Sequence, residues 1–524
     1  METFNAAAYL IDRQVEAGNG DRVAVSDPDG TWTYAALAAE VRRAAAGLER
    51  LGLRPEERIV LFSADRVELL VAFLAALRMG AVPVPTSTMY RDTELADLLC
   101  DSRAAMVFAS PEFADTARAA VRRARDTDRR WRALLLVDDP AAFRRPDGTV
   151  EVSWSAVVRG PDPGAPPYDS WPDSPAFWLY TSGTTGTPKA AMHRHGSVRA
   201  VAESYGREVL GIGPDDRCFS VAKLFFAYGL GNSALFPLSV GACAVLDPAR
   251  PTPASVAARL VADSPTLFFA VPTFYAALLG SDVPRAAFAS VRLAVSAGEP
   301  LPAGLYRRFT ERFGVELVDG IGSTEALHIF LSNRAGAVRP GTSGTPVPGY
   351  DARLVDDAGA AVPDGTPGHL QIRGPSLTTG YWCRTDVTRA AFAGEWMRTG
   401  DTYVRSSDGY YTCLGRSNDM IKSGGIWVSP VEVEDCLRGD PSVAAVAVVA
   451  VPDADGLDKP VACVVPAAGA EIDPDALIAR CREQLAAFKR PRHVLVFTDL
   501  PTTATGKLRR FAVRAEALER LAGR

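Results

Sequence analysis

Apolar positions recur with helical spacing over 33–51, crowd into a strand-like run over 58–62 and return to helical spacing over 68–78. The chain therefore opens with the alternation of an α/β protein. An apolar run at 81–84, a helical pattern over 93–100 and a strand pattern over 104–109 continue it, and a parallel, doubly wound sheet is the packing this order predicts. Residues 160–175, GPDPGAPPYDSWPDSP, interrupt the pattern with Pro, Gly and Asp and predict a surface connection. Alternation resumes with a strand over 176–180 and runs to about residue 318, whereas 341–408 shows short strands and turns and predicts a β-rich subdomain. The C-terminal stretch reads as helix 430–437, strands 443–451 and 460–465, helix 474–486 and strand 493–497, a small α+β domain joined near 415–419. The predicted division is a large domain over 1–417 and a small one over 418–524, without solenoid repeats or low-complexity tracts.

Composition narrows the function classes. The 524 residues allow about three or four compact units at roughly 100–200 residues each. With 47% apolar and 23% charged residues the chain can bury large cores, which excludes a mainly disordered scaffold. Its 57 Lys+Arg against 62 Asp+Glu, a net charge of -5, provide no basic field for nucleic acid or anionic lipid. Cysteines at 100, 218, 243, 383, 413, 436, 463 and 481 contain no CxxC pair, so neither a zinc site nor a disulfide framework is expected. The apolar runs at 69–77 and 443–451 stop short of the ~18 residues of a membrane helix. The start of the chain, with Glu2 and Asp12, lacks the cationic-then-apolar order of a signal peptide. A reducing cytoplasm is the expected compartment.

The strongest chemical signal is 181–189, TSGTTGTPK, directly after the apolar FWLY of 177–180. Gly183 and Gly186 permit a tight turn, the hydroxyls around them (Thr181, Ser182, Thr184 and Thr185 among them) can surround phosphate oxygens, and Lys189 supplies a mobile cation. It is not a Walker A loop, because Lys189 follows Gly186 by three residues and is succeeded by Ala190. YTSGTTGTPK resembles the phosphate-binding signature of the acyl-adenylate-forming superfamily, which includes acyl- and aryl-CoA ligases, peptide-synthetase adenylation domains and luciferases.

Distant motifs extend the resemblance in the family's order. GIGSTE at 320–325 is similar to the second nucleotide motif, which implies that Thr324 binds the α-phosphate and Glu325 holds Mg²⁺, a hard cation suited to a carboxylate. SAGEP at 296–300 resembles the loop against which adenine lies, implying backbone approach by Gly298, Glu299 and Pro300 together with Asp319 and Gly320. RTGD at 398–401 resembles the ribose-binding stretch, which implies that Asp401 accepts from the ribose hydroxyls and Arg416 helps hold sugar or phosphate. PTTATGKL at 501–508 resembles the family's terminal motif and makes Lys507 the lysine that bridges carboxylate and α-phosphate in the first half-reaction. One departure is GRSND at 415–419, which puts Asn418 at the hinge where the family usually carries Asp or Lys. Asn tolerates unusual backbone angles, so rotation of the small domain remains compatible with it.

The acyl pocket is expected from FAYGLGN at 226–232 and the residues around GIGSTE: Phe225, Phe226, Ala227, Tyr228, Gly229, Phe236, Gly322, His328 and Ile329. These make a flat, mostly apolar enclosure with no charged partner for an amino group. KLFFAYGLGN with GIGSTEALHIFLSN is most similar to the benzoate–CoA ligase group, which implies benzoate or a lightly substituted aryl acid as substrate. The resemblance implies ATP and Mg²⁺ as cofactors and a phosphopantetheine thiol as acceptor, either that of coenzyme A or that of an acyl carrier protein. Lys489, Arg490 and Arg492 are candidates for gripping the 3′-phosphate of CoA, or a solvated basic face. A luciferase-like oxygenase and a noncatalytic adenylate-binding protein stay as alternatives, and a homodimer is a family-level expectation.

Overall fold

The computed structural model describes residues 2–127, 134–137, 150–182, 188–416, 419–423, 426–452, 458–485, 489–502 and 508–522. The chain divides into two compact units, Met1–Asp351 with Ile372–Met397 and Ala352–Gln371 with Arg398–Arg524.

The first unit contains two sheets with buried parallel strands. In one, Val82–Pro85, Arg58–Phe62, Met106–Ala109, Leu134–Val137 and Glu151–Ser153 lie side by side and all run parallel. The helix Val67–Arg78 connects the strands Arg58–Phe62 and Val82–Pro85, and every residue of it except Glu68 is buried. It therefore reads as a continuous apolar run instead of a one-sided stripe. The helix Tyr34–Arg50 is amphipathic instead, and the Thr33 hydroxyl caps it by accepting from Ala36 N at 3.2 Å.

The other sheet has nine strands, in the order Thr345–Pro346, Ile329–Ser332, Leu317–Gly322, Leu293–Ser296, Leu267–Ala270, Arg217–Ser220, Cys243–Val245, Val23–Asp27, Gly30–Thr33. The expected doubly wound parallel order holds from Leu317–Gly322 to Val23–Asp27, while the strands outside those two pair antiparallel. Val-, Leu- and Phe-rich strands such as Leu267–Ala270 are buried throughout, as parallel strands covered on both faces must be. A separate hairpin, Pro175–Ser182 with Pro188–Arg194, packs Trp178 and Ala190 into the core of the first sheet and Phe177 against Phe73.

In the second unit, residues 401–405 pair antiparallel with Tyr411–Arg416. Further on, Val443–Pro452 pairs antiparallel with Asp458–Pro466, which pairs parallel with His493–Val496. Alternation along Val443–Pro452 sends Val446 and Val448 to one face, under the helices Pro430–Arg438 and Pro474–Gln484, and Ala447, Val449 and Val451 to the other, under Arg510–Ala522. The last helix escapes the pattern reading because Val513 and Ala517 are the only fully buried ones among its described side chains, set among arginines and glutamates. All eight cysteines are free thiols. Among the described residues no helix is long and apolar enough to cross a membrane.

Candidate active site

The phosphate-binding signature lies at the turn of the hairpin. Thr181 and Ser182 end its first strand, and Thr181 pairs with Lys189 at the start of the second; Gly183, Thr184, Thr185 and Gly186 lie outside the described residues. The segment 379–382 runs along the free edge of Pro188–Arg194. Trp382 N donates to Ala190 O at 3.0 Å, Met192 N to Gly380 O at 3.0 Å and Thr379 N to Met192 O at 3.1 Å. This ladder sets Tyr381 opposite Ala191. The Lys189 ammonium then stands 4.0 Å from the centroid of the Tyr381 ring, and the Tyr381 hydroxyl donates to Glu325 Oε1 at 2.7 Å. Burial lowers the pKa of Lys189, with Glu325 opposing. Burial and the same carboxylate raise that of Tyr381, so the phenol stays a donor.

Asp319, Gly320 and Gly322 come from the strand Leu317–Gly322, and Asp319 pairs with Ser296 on the neighbouring strand. Gly298, Glu299 and Pro300 follow directly from that neighbour, with Gly298 in the left-handed region at φ 92 and Glu299 accepting from the Thr273 hydroxyl at 2.6 Å. Burial holds the Asp319 carboxyl well above the ordinary carboxylate range, against the Ser296 hydroxyl and Gly320 N–H. The turn carrying Thr324 and Glu325 is tied down on several sides. Thr324 O accepts from His193 Nε2 at 2.8 Å, Ala326 N donates to the Ser323 hydroxyl at 3.2 Å and Thr378 N donates to Glu325 O at 2.8 Å. It closes through Leu327 at φ 67, a left-handed conformation costing about 1–2 kcal/mol for a non-glycine residue, which its fully buried side chain offsets. His193 is itself enclosed and burial holds it down to about 4, so it is a neutral donor at pH 7.

The aromatic wall expected to line the acyl pocket is assembled around His328. The imidazole stands edge-on to Phe236 at 4.5 Å between centroids and is flanked by Tyr205 at 5.3 Å and Tyr228 at 5.5 Å. Its Nε2–H donates to Asn232 Oδ1 at 3.2 Å, with Tyr228 O at 3.4 Å. Burial brings its pKa down to about 3, so this wall carries no charge at neutral pH. Gly231 allows the close approach: a Cβ there would lie 2.3 Å from His328 Cδ2. At Gly322 a Cβ would lie 2.6 Å from His328 O. Tyr228 donates through its hydroxyl to Val295 O at 3.0 Å, while Phe225, Ala227, Gly229 and Ile329 are buried and Phe226 is half-buried.

In the second unit, Asp401 pairs across the strands with Arg416, whose Nε lies 3.2 Å from its carboxylate, and Arg416 also donates to Thr399 O at 3.0 Å. Lys489 donates to Glu432 at 2.6 Å, and Arg490 to Leu485 O at 3.0 Å. Asn418 and Lys507 lie outside the described residues. Sequence reasoning missed Tyr381 and His193. Tyr381 stands in a turn-rich stretch about which local spacing says nothing, and both act through partners more than 50 residues away.

Among the described residues no group of three or more His, Cys, Asp or Glu side chains could hold an ion alone. Mg²⁺ bound through one carboxylate and phosphate oxygens needs no such cage, and Glu325 fits it as a hard oxygen donor beside a phosphate signature.

Parallel α/β sheets, a lysine and an acid joined through Tyr381 beside a hydroxyl-rich signature, and an uncharged aromatic wall define an acyl-adenylate-forming enzyme. The chain belongs to the AMP-binding enzyme family: residues 11–382 match it, and 432–507 match the AMP-binding enzyme C-terminal domain. It is 43% identical to the benzoate–CoA ligase of Thauera aromatica, over 98% of this chain and 96% of that protein. The crystal structure of a benzoate CoA ligase from Burkholderia xenovorans superposes with a TM-score of 0.87 at 43% identity, covering 98% of this chain and 100% of the other. That of an anthranilate CoA ligase in complex with anthranoyl-AMP gives 0.91 at 36% identity, covering 99% and 98%.

Proposed function

We propose that this chain joins an aryl carboxylic acid, benzoate or a close analogue, to coenzyme A, converting ATP to AMP and pyrophosphate. The observation that carries this reading is the 43% identity to a benzoate–CoA ligase over 98% of the chain. The neutral aromatic wall around His328 supports it, since it suits a flat ring and offers an ammonium group no counter-charge.

In the first half-reaction a carboxylate oxygen attacks the α-phosphorus, and the bond to the β-phosphate oxygen breaks to release pyrophosphate. Two anions must approach, so cationic and hydrogen-bonding groups aimed at the developing charge supply most of the acceleration. Lys507 would bridge the reacting carboxylate and the α-phosphate, and Thr324 would donate to the latter. Lys189 and the turn 181–186 would hold the outer phosphates, with Gly298, Glu299, Pro300, Asp319 and Gly320 lying along adenine. Asp401 and Arg416 would take the ribose. Mg²⁺ on Glu325, when bound, neutralises phosphate charge. In the second half-reaction the thiol, losing its proton, attacks the acyl carbon of the mixed anhydride, and the bond to the AMP oxygen breaks. Domain alternation about Asn418 would exchange Lys507 for a thiol channel between the two steps. A reducing compartment such as the cytoplasm accords with eight free cysteines.

The test is mass spectrometry of a reaction containing benzoate, MgATP and CoA, with AMP quantified in parallel. Benzoyl-CoA formed in step with AMP supports the reading; AMP without the CoA thioester would move the acceptor to a carrier protein, and neither product would make the acid wrong. For the division of labour, Lys507→Ala is expected to lower benzoate-dependent ATP–pyrophosphate exchange about a hundredfold or more and to spare thioester formation from supplied benzoyl adenylate. Normal exchange in that variant would remove the role given to Lys507.

A further inference from the structure

Tyr381 is absent from the motifs that define the phosphate side of the site, yet it touches both of that side's described charges. Its ring face lies 4.0 Å from the Lys189 ammonium, and its hydroxyl donates to Glu325 Oε1 at 2.7 Å. An aromatic ring is electron-rich on its face and carries its positive potential at the edge, where the phenolic proton adds to it. One side chain therefore satisfies a cation and an anion at once, each by the geometry it prefers. A lysine and a glutamate brought together directly would neutralise each other. Shared through Tyr381, Lys189 keeps its ammonium donors for phosphate oxygens and Glu325 keeps its second oxygen for a cation.

The position of Tyr381 is set by backbone, not by the charges. Hydrogen bonds from Trp382 N to Ala190 O and from Met192 N to Gly380 O hold residues 380–382 along the strand Pro188–Arg194, and Thr378 N holds the Glu325 carbonyl. The ring is 5% exposed, so it has little freedom to swing away. We infer that Tyr381 is a positioning residue that pre-orients Glu325 for Mg²⁺ and Lys189 for the outer phosphates of ATP, an inference resting on the functional reading above.

Groups that orient a metal-ligating side chain are worth about tenfold or more in metal affinity. Calorimetric titration of the full-length protein with ATP, in Mg²⁺ and separately in EDTA, distinguishes the two contacts. Tyr381→Phe keeps the ring face and removes the hydroxyl. It is expected to weaken binding of MgATP about tenfold and leave metal-free ATP unchanged, with the KM for MgATP raised and the KM for benzoate within about twofold. Tyr381→Leu removes the face as well and is expected to weaken metal-free ATP too. In a Glu325→Gln background the additional effect of Tyr381→Phe on MgATP should vanish, which loss of general stability would not produce. Wild-type-like MgATP binding by Tyr381→Phe, or equal weakening with and without metal, overturns the inference alone. A wild-type protein that binds no MgATP overturns the functional reading and this inference with it.

Discussion

The two sides of the first unit's site handle polar groups in opposite ways. Around His328, three aromatic rings and Asn232 enclose an imidazole so completely that its charged form is suppressed, and the wall it forms is polar but neutral. Around Tyr381, the lysine ammonium meets the ring face and the carboxylate accepts from the phenol hydroxyl. Enclosure without a counter-charge disfavours charge, whereas a shared aromatic partner gives a cation and an acid each an oriented contact. Under the proposed function the first environment would receive an aryl ring and the second a triphosphate, and both are reached from the same short strand and turn, Leu317–Gly322 followed by 323–328.

The comparison breaks most severely if charge is removed from the charged side. Glu325→Gln is expected to reduce benzoate-dependent ATP–pyrophosphate exchange by about a thousandfold with little change in thermal unfolding, because the Tyr381 hydroxyl can still donate to the amide oxygen. Exchange near the wild-type rate would show that the carboxylate's charge has no part in the chemistry. On the neutral side, Gly231→Ala puts a methyl group 2.3 Å from His328 Cδ2. It should cost about 3 kcal/mol in urea unfolding, the upper end for overpacking, and raise the KM for benzoate without raising that for MgATP. A KM change shared equally by both substrates would mean that the two sides are not separate.

A smaller effect tests the neutrality of the wall. His328 is held down to about 3 when folded, against 6.5 ordinarily, so between those values only the unfolded chain takes up its proton. Its contribution to stability is complete above about pH 6.5 and is lost as the pH falls towards 3, about 2 kcal/mol between pH 7 and pH 5. A His328→Phe variant should lack that part of the slope in urea titrations at the two pH values. An unchanged slope would mean that His328 is charged or solvated in the folded protein.

Much of this was legible in the chain because it is local. The helix over 33–51 and the strand over 58–62 appear as Tyr34–Arg50 and Arg58–Phe62, since hydrophobic spacing reports directly on which face is buried. The helix Arg510–Ala522 was not legible, because its buried stripe is thin and a sheet face, not its own pattern, makes it bury Val513 and Ala517. Asn232 and His328 both fall in stretches that the sequence offers for the acyl pocket, but the direction of the proton between them was not legible, since it depends on an acceptor 96 residues away.

By itself the sequence determined the family and the α/β order, and it offered the motif residues proposed for nucleotide and aryl acid, because glycines, hydroxyls and charges at short fixed spacings carry their chemistry wherever the chain takes them. Only the tertiary structure decided that a tyrosine from 379–382 would stand between Lys189 and Glu325, and that His328 would be neutral. Strand pairing brings in the first from nearly 200 residues beyond Lys189, and the desolvation that sets the second exists only once the aromatic wall has closed.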